Sequence, residues 1–196
     1  TNDNMHLLKK MGSATAAAGA VGLYHVENLT PDAKQKGREL LMEGYQTYVI
    51  DDAEQARVLA TFPIEQEGRP ENPTVCFIGC PHNTYHELLT WGKNVTEAVE
   101  KRGLEKAAIP TLLFCANVVR DRLVEEEPLL VGAMKRAGLK FTNICTLSYC
   151  GMKGFSERMY AVTNSPKTRN YYPYVRYFTD EDLVDIICTG EIPKGA

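Results

Sequence analysis

Residues 75–94, VCFIGCPHNTYHELLTWGKN, constrain the fold more than any other stretch of the chain. The apolar run Val75 to Ile78 ends at Gly79, and Cys80, Pro81 and His82 follow at once. A helical pattern then opens at Asn83 or Thr84, with Glu87 three residues after Thr84 as in a capping box. Such a segment is a buried strand, a tight turn and a helix start. In open α/β sheets, ligands bind outside the carboxyl ends of the strands. A thiol and an imidazole on that turn therefore mark where chemistry is expected. Either residue alone has an ordinary explanation, since free cysteine packs as a small hydrophobe and a histidine near a helix start satisfies local hydrogen bonds. The pairing of Cys80 and His82 on one turn is what singles them out.

The same alternation continues along the chain. The pattern predicts a helix from Asp3 or Asn4 to about Ala18 and a strand over Ala20 to Val26. Thr30-Pro31-Asp32 then starts a helix expected to reach Glu43 and stop at Gly44. A short strand over Thr47 to Ile50 and a helix from Asp51 or Asp52 toward Leu59 come next. Residues 63–73, with three prolines and a glycine, read as a surface loop. Beyond it the expected order is a strand at 74–79, a helix over 84–102 and a strand at Thr111 to Cys115. A helix over 117–137, interrupted by Pro128, and a strand from Leu139 to Ile144 follow. The last elements are an irregular loop from Cys145 to Ser156, a strand from Arg158 to Thr163, a helix begun by Ser165-Pro166, an extended piece at Tyr174 to Phe178, and a helix capped from Thr179 to Asp182. This order implies parallel pairing and a three-layer α/β/α sandwich, with residues 1–196 forming one α/β domain.

Composition excludes several function classes. The chain has 196 residues, 44% apolar and 24% charged, as expected of a globular protein with a substantial core. A net charge of −3 without a long basic run argues against a nucleic-acid surface. No apolar stretch is long enough to span a bilayer, and the small-residue segment Ala14 to Leu23 lacks a signal-like cleavage pattern after it. Gly19-Ala20-Val21-Gly22 lacks the spacing of a dinucleotide-binding fingerprint. The six cysteines contain no CxxC pair and are spread over more than a hundred residues, which fits a reduced cytoplasmic protein rather than a disulfide scaffold. Cys76, Cys115 and Cys188 read as core residues, whereas Cys80 and Cys145 fall where strands give way to loops. The chain begins at Thr1 without an initiator methionine, which suggests a fragment or a processed product.

Three turns at predicted strand ends carry the candidate chemistry: Gly79 to His82, Asn143 to Cys145, and Thr163 to Lys167. If their strands are parallel neighbours, all three meet at one sheet edge. Two soft thiolates there suit an iron–sulfur or zinc site, with further ligands supplied from elsewhere. Asn164, Ser165 and Lys167 at a helix start could hold a carboxylate or phosphate, or Ser165 could simply be an N-cap. His25 reads as a packed histidine. Tyr171, Tyr172, Tyr174 and Tyr177 read as core and rim packing.

Several of these segments resemble the aconitase X catalytic subunit family. They are Gly12 to His25 followed by Asn28-Leu29-Thr30-Pro31-Asp32-Ala33, Ile78 to His82 with Glu87-Leu88, and Thr163 to Lys167 leading into Tyr171-Tyr172-Pro173. Their order matches that of the family, and the likeness extends over the C-terminal half of its catalytic subunit. The resemblance implies an aconitase-like domain and an iron-dependent hydro-lyase acting on a hydroxy-carboxylate. It implies iron or an iron–sulfur cluster shared with the N-terminal half, with Cys80 and Cys145 as the metal ligands from this chain. It further implies Ser165 as the general base, Asn164 and Lys167 as substrate-binding residues, and His82 as a support of the metal turn. The implied partners are the N-terminal half and a small swivelling subunit. Asn143 stands where the family usually has an aspartate, and Pro166 where it more often has alanine, while Cys150 is an extra thiol near Cys145. The alternatives are a non-catalytic binding or assembly domain of the same fold, or an unrelated zinc-binding protein.

Overall fold

The strand on which the sheet is built, β1, runs Val75–Asn83. On one side it pairs in parallel with β2 (Thr111–Cys115), and β2 pairs with β3 (Leu139–Thr142). On the other side it pairs with β4 (Ala161–Thr163), and β4 with β5 (Arg176–Tyr177). The order β3-β2-β1-β4-β5 is parallel throughout, as the strand–helix alternation predicts. The computed structural model describes residues 5–61 and 70–193.

Nine helices lie among the described residues: α1 (Met5–Gly19), α2 (Pro31–Lys36), α3 (Asp52–Ala60), α4 (Tyr85–Lys101), α5 (Asn117–Glu126), α6 (Pro128–Arg136), α7 (Thr146–Cys150), α8 (Pro166–Tyr171) and α9 (Asp180–Thr189). Side chains alternate between the two faces of a strand, and β1 uses both. Cys76 and Ile78 join Leu113, Leu139 and Val162 under α4, α5, α6 and α9, which contribute Leu88, Val95, Leu123, Met134 and Ile186. Val75 and Phe77 face the other way, into a smaller cluster with Phe114, Cys150, Met159, Ala161 and Val175. There Phe77, Phe114 and Tyr149 pack ring against ring with centroids 5.6–5.9 Å apart. Helices α7 and α8 contact the sheet from this side, and α1 also touches β1. The result is the expected three-layer α/β/α arrangement, with one layer much thicker than the other.

Local chemistry accounts for the element boundaries. Thr84 and Glu87 form the reciprocal capping box at α4, and Asp51, Ser165 and Thr179 each cap a helix through a side-chain oxygen. Pro128 divides the predicted 117–137 helix into α5 and α6, because proline cannot donate the required backbone bond. Gly92 sits where α4 and α6 approach closely; a Cβ there would lie 2.8 Å from Met134 Sδ.

The N-terminal third departs from the expectations. Ala20 to Val26 and Thr47 to Ile50 form no strand, and helix α2 stops at Lys36 with Gly37 at φ +53° before a 3-10 turn, well short of Glu43. β-propensity reflects fit to a half-buried pleated surface, and both segments lie mostly exposed, with Val49 and Ile50 over two-thirds accessible. Of the described residues up to Thr61, Ala33 alone is buried. The strands predicted at 139–144 and 158–163 are shorter than expected, and α7 occupies part of the predicted loop after Cys145. Most of the loop predicted at 63–73 lies outside the described residues.

Replacing Gly92 by Val should overpack the α4–α6 contact and reduce stability by about 1–3 kcal/mol. Urea unfolding checks this; an unchanged midpoint would show that the two helices separate freely.

Candidate functional site

Strand order reverses at β1. The connections to β2 and β3 run through α4, α5 and α6 on one face, while those to β4 and β5 run through α7 and α8 on the other. A crevice forms at such a switch point outside the carboxyl ends of the diverging strands. The diverging turns here are those that end β1 and β4, which carry Cys80 and Ser165.

The β1 turn is a bulge of unusual size. Ile78 aligns with Leu113 and Asn83 with Cys115, so the four residues 79–82 stand opposite Phe114 alone. Gly79 adopts φ +112°, and a Cβ there would lie 2.5 Å from the Phe114 carbonyl oxygen, so glycine is required. The Cys80–Pro81 peptide is cis. Asn83, with 5% of its surface accessible, closes the bulge: its Nδ2 donates to the carbonyls of Ile78 (3.0 Å) and Phe114 (3.1 Å). These groups would otherwise be unsatisfied where the ladder breaks.

The β4 turn is fastened to the first. Thr163 Oγ1 donates to the Phe77 carbonyl (2.7 Å) and accepts from Ser165 N–H (3.1 Å). Ser165 Oγ donates to the Cys80 carbonyl (2.5 Å), and accepts from Thr168 N–H (3.0 Å) and Thr168 Oγ1–H (3.1 Å). Ser165 is thus an N-cap and also a clamp between the two turns, and it is buried. The buried Asn164 donates through Nδ2 to Asp180 (2.7 Å), while Lys167 is half-buried on the first turn of α8.

Helix α1 adds a third support. Lys9 Nζ donates to the His82 carbonyl (2.7 Å) and to Glu87 Oε2 (2.5 Å), and Lys10 lies 3.7 Å from Asp180. Glu87 Oε2 also accepts from Thr84 N–H and Oγ1–H, each at 2.8 Å. Burial alone would raise the Glu87 carboxyl, yet the Lys9 ammonium and the Thr84 donors hold it below its ordinary value.

The sequence-derived candidates are therefore only partly brought together. Cys80 and Ser165 meet directly, with Asn164 and Lys167 beside them. The His82 side chain is exposed, and its backbone is what the structure uses. Cys145 lies at the same sheet edge, but at the end of β3, with β2 between it and the β1 bulge; it is exposed at the start of α7. The three turns are not mutual neighbours, because β3 pairs only with β2. Cys76, Cys115 and Cys188 are core residues, with burial pushing each thiol upward and so favouring the protonated form. Cys150 is buried in the smaller cluster. His25 is exposed rather than packed. Tyr172 and Tyr174 pack as expected, Tyr177 is half-buried, and Tyr171 is exposed.

Among the described residues, no three His, Cys, Asp or Glu side chains converge as a metal site. Two thiols on one edge amount to no more than part of one. Sequence reasoning missed Lys9, Asn83, Thr168 and Asp180. Asn83 had a local signal, as an amide directly after the turn, but nothing near Lys9 marks its contact with residues more than seventy positions away.

Comparisons with known proteins bear on the fold. No family model matches the chain. It is 27% identical over 166 residues to the phosphomevalonate dehydratase large subunit of Methanosarcina mazei, covering 85% of this chain and 36% of that protein. The corresponding protein of Methanocaldococcus jannaschii is 29% identical over 172 residues, covering 88% of this chain and 39% of its own length. That of Thermococcus kodakarensis is 27% identical over 118 residues, or 60% of this chain and 27% of its own. The chain thus spans about two-fifths or less of the curated relatives it matches. The crystal structure of Thermococcus kodakaraensis aconitase X in its holo-form superposes with a TM-score of 0.71 at 23% identity, over 96% of this chain and 45% of that one. The fold is the same.

Asn83→Leu should leave two carbonyls of the bulge unsatisfied and cost about 2 kcal/mol or more; chemical denaturation measures it, and a loss under half that would mean the bulge closes without the amide. Because the folded Glu87 carboxyl is depressed, its contribution is present above the ordinary value of 4.5 and is lost as pH falls through the folded value. The stability gap between wild type and Glu87→Gln should therefore be constant from about pH 7 down to the ordinary value of 4.5 and shrink as the pH falls below it. A gap independent of pH would show that the charge of Glu87 contributes nothing.

Proposed function

Starting from a chain related to one part of the aconitase X large subunits, we propose that it is the portion of a hydro-lyase that carries the switch-point crevice. The substrate class is a hydroxy-carboxylate, and residues 1–196 act as one α/β unit of a larger catalytic assembly in a reducing, cytoplasmic setting. The observation that carries this reading is the clamp between Ser165 Oγ and the Cys80 carbonyl. It joins the turn offering a thiol to the turn offering a buried hydroxyl, in a chain whose relatives bear the name of dehydratases.

Dehydration removes a proton beside a carboxylate and expels a hydroxyl group. Ser165 would take the proton. Two donors from Thr168 converge on its Oγ, and hydrogen bonds to an oxygen favour its anionic form. Lys167 and Asn164 flank it and would hold the carboxylate, Asp180 keeping the Asn164 amide oriented. His82, with its carbonyl fixed by Lys9, supports the thiol-bearing turn. Cys80 and Cys145 would contribute to an iron or iron–sulfur group whose remaining ligands come from the N-terminal half of the subunit, and which would supply the Lewis acid for the departing hydroxyl. A small swivelling subunit would complete the assembly.

One observation favours a second reading, an assembly domain without turnover. Asn164 and Ser165 are both satisfied by partners within the chain, as purely structural residues would be.

The test mixes this chain anaerobically with a polypeptide carrying the remainder of the large subunit, and measures bound iron and dehydration. Iron should be retained by the mixture, and should fall by more than about half in Cys80→Ala and in Cys145→Ala. Ser165→Ala should keep the iron, lose about 1 kcal/mol of cap stability, and slow turnover by about 100-fold or more, with Ser165→Thr recovering part of it. Iron unchanged in both cysteine variants would remove them from the site. Full turnover in Ser165→Ala would leave Ser165 as a cap alone.

A further inference from the structure

The far end of the sheet, where β1, β2 and β3 begin, holds a cleft of about 640 Å³. Val75, Leu112, Phe155 and Met159 give it an apolar lining. Leu112 and Lys140 are register partners on β2 and β3, so they share one sheet face. This is the face of the smaller core cluster, which the segment after α7 covers only in part. Parallel sheets are normally buried on both faces, so a lysine standing beside a half-buried leucine on an open stretch of such a face needs a reason.

The charge pattern supplies one. Lys140, Lys153 and Arg158 all line this cleft, and among its described lining residues there is no carboxylate. None of the three forms an ion pair among the described residues. Arg158 is anchored at the rim, its Nε donating to the Gly154 carbonyl (3.0 Å). In a chain of net charge −3, three unpaired cations around one apolar hollow are not a consequence of overall composition. Low-dielectric walls lined by one sign of charge focus the field on the opposite charge.

We propose that this cleft binds a small molecule joining an anionic head, phosphate or carboxylate, to a short apolar body. The head lies among Lys140, Lys153 and Arg158, and the body lies over Leu112 against Phe155. The volume is in the range of small-molecule pockets, and the acidic chain as a whole repels extended polyanions. The site is at the opposite edge of the sheet from the Cys80 and Ser165 turns, so it does not rest on the dehydratase reading.

The probe is n-hexyl phosphate, titrated calorimetrically at low salt into the whole chain, with inorganic phosphate and n-hexanol in parallel. Saturable binding of n-hexyl phosphate is expected, about 10-fold or more tighter than inorganic phosphate, with no saturable binding of n-hexanol. Lys140→Gln with Arg158→Gln should weaken it about 10-fold or more, and Lys153→Gln alone should weaken it measurably, with thermal unfolding unchanged in each. Replacing the head by a carboxylate, in n-heptanoate, distinguishes the two anion classes: binding of either supports the site. Absence of saturable binding by both amphiphiles overturns the proposal. So does equal affinity in the charge variants, or inorganic phosphate binding as tightly as n-hexyl phosphate.

Discussion

Strand β1 is hydrogen-bonded along both edges and buried on both faces, and the rest of the molecule is arranged around that demand. A strand so placed must be apolar at consecutive positions, and Val75 through Ile78 are. Because neighbouring side chains point oppositely, Cys76 and Ile78 seed the thick helical layer while Val75 and Phe77 seed the thin one. The chain builds outward from β1 in both directions, so strand order reverses there and the β1 and β4 turns diverge at its carboxyl end. The position of the candidate site thus follows from how the central strand is buried.

At the end of β1 the ladder breaks over four residues, and polar side chains take over what the ladder can no longer do. Asn83 satisfies two carbonyls, Ser165 reaches a third at Cys80, and Lys9 a fourth at His82. Asn83 is local to the bulge, whereas Ser165 and Lys9 come from distant parts of the chain. Of these, the Ser165 bond holds the Cys80 turn against the Ser165 turn. Cys145 is excluded from this arrangement by topology: β2 separates its strand from β1.

Burial is unevenly distributed. The thick layer is complete, with α4, α6 and α9 closing over the sheet, whereas the thin layer leaves Leu112 and Lys140 beside an open cleft. The described residues before Thr61 add almost nothing to the core, and Lys9 of α1 reaches the end of β1 and Glu87 through polar and ionic contacts. The chain spans about two-fifths or less of the curated relatives it matches.

Local chemistry made much of this legible in advance. Caps at Thr84, Ser165 and Thr179, the break at Pro128, and the short apolar runs at 75–78 and 111–115 depend on residues within a few positions of one another, so the sequence determined those helices and strands, their alternation, and hence a parallel α/β sheet. The cysteine–proline–histidine turn likewise announced a special strand end. Strands at 20–26 and 47–50 were misread because a strand needs a partner, and no local pattern says whether one exists. Tertiary structure alone decided which strands are neighbours, and so that Ser165 bonds to the Cys80 turn while Cys145 stands apart. It alone placed Lys9 on the bulge and left three cations around one cleft. Those outcomes are long-range pairings, set by sheet order and by the need to satisfy buried carbonyls, and neither is written in the spacing of neighbouring residues.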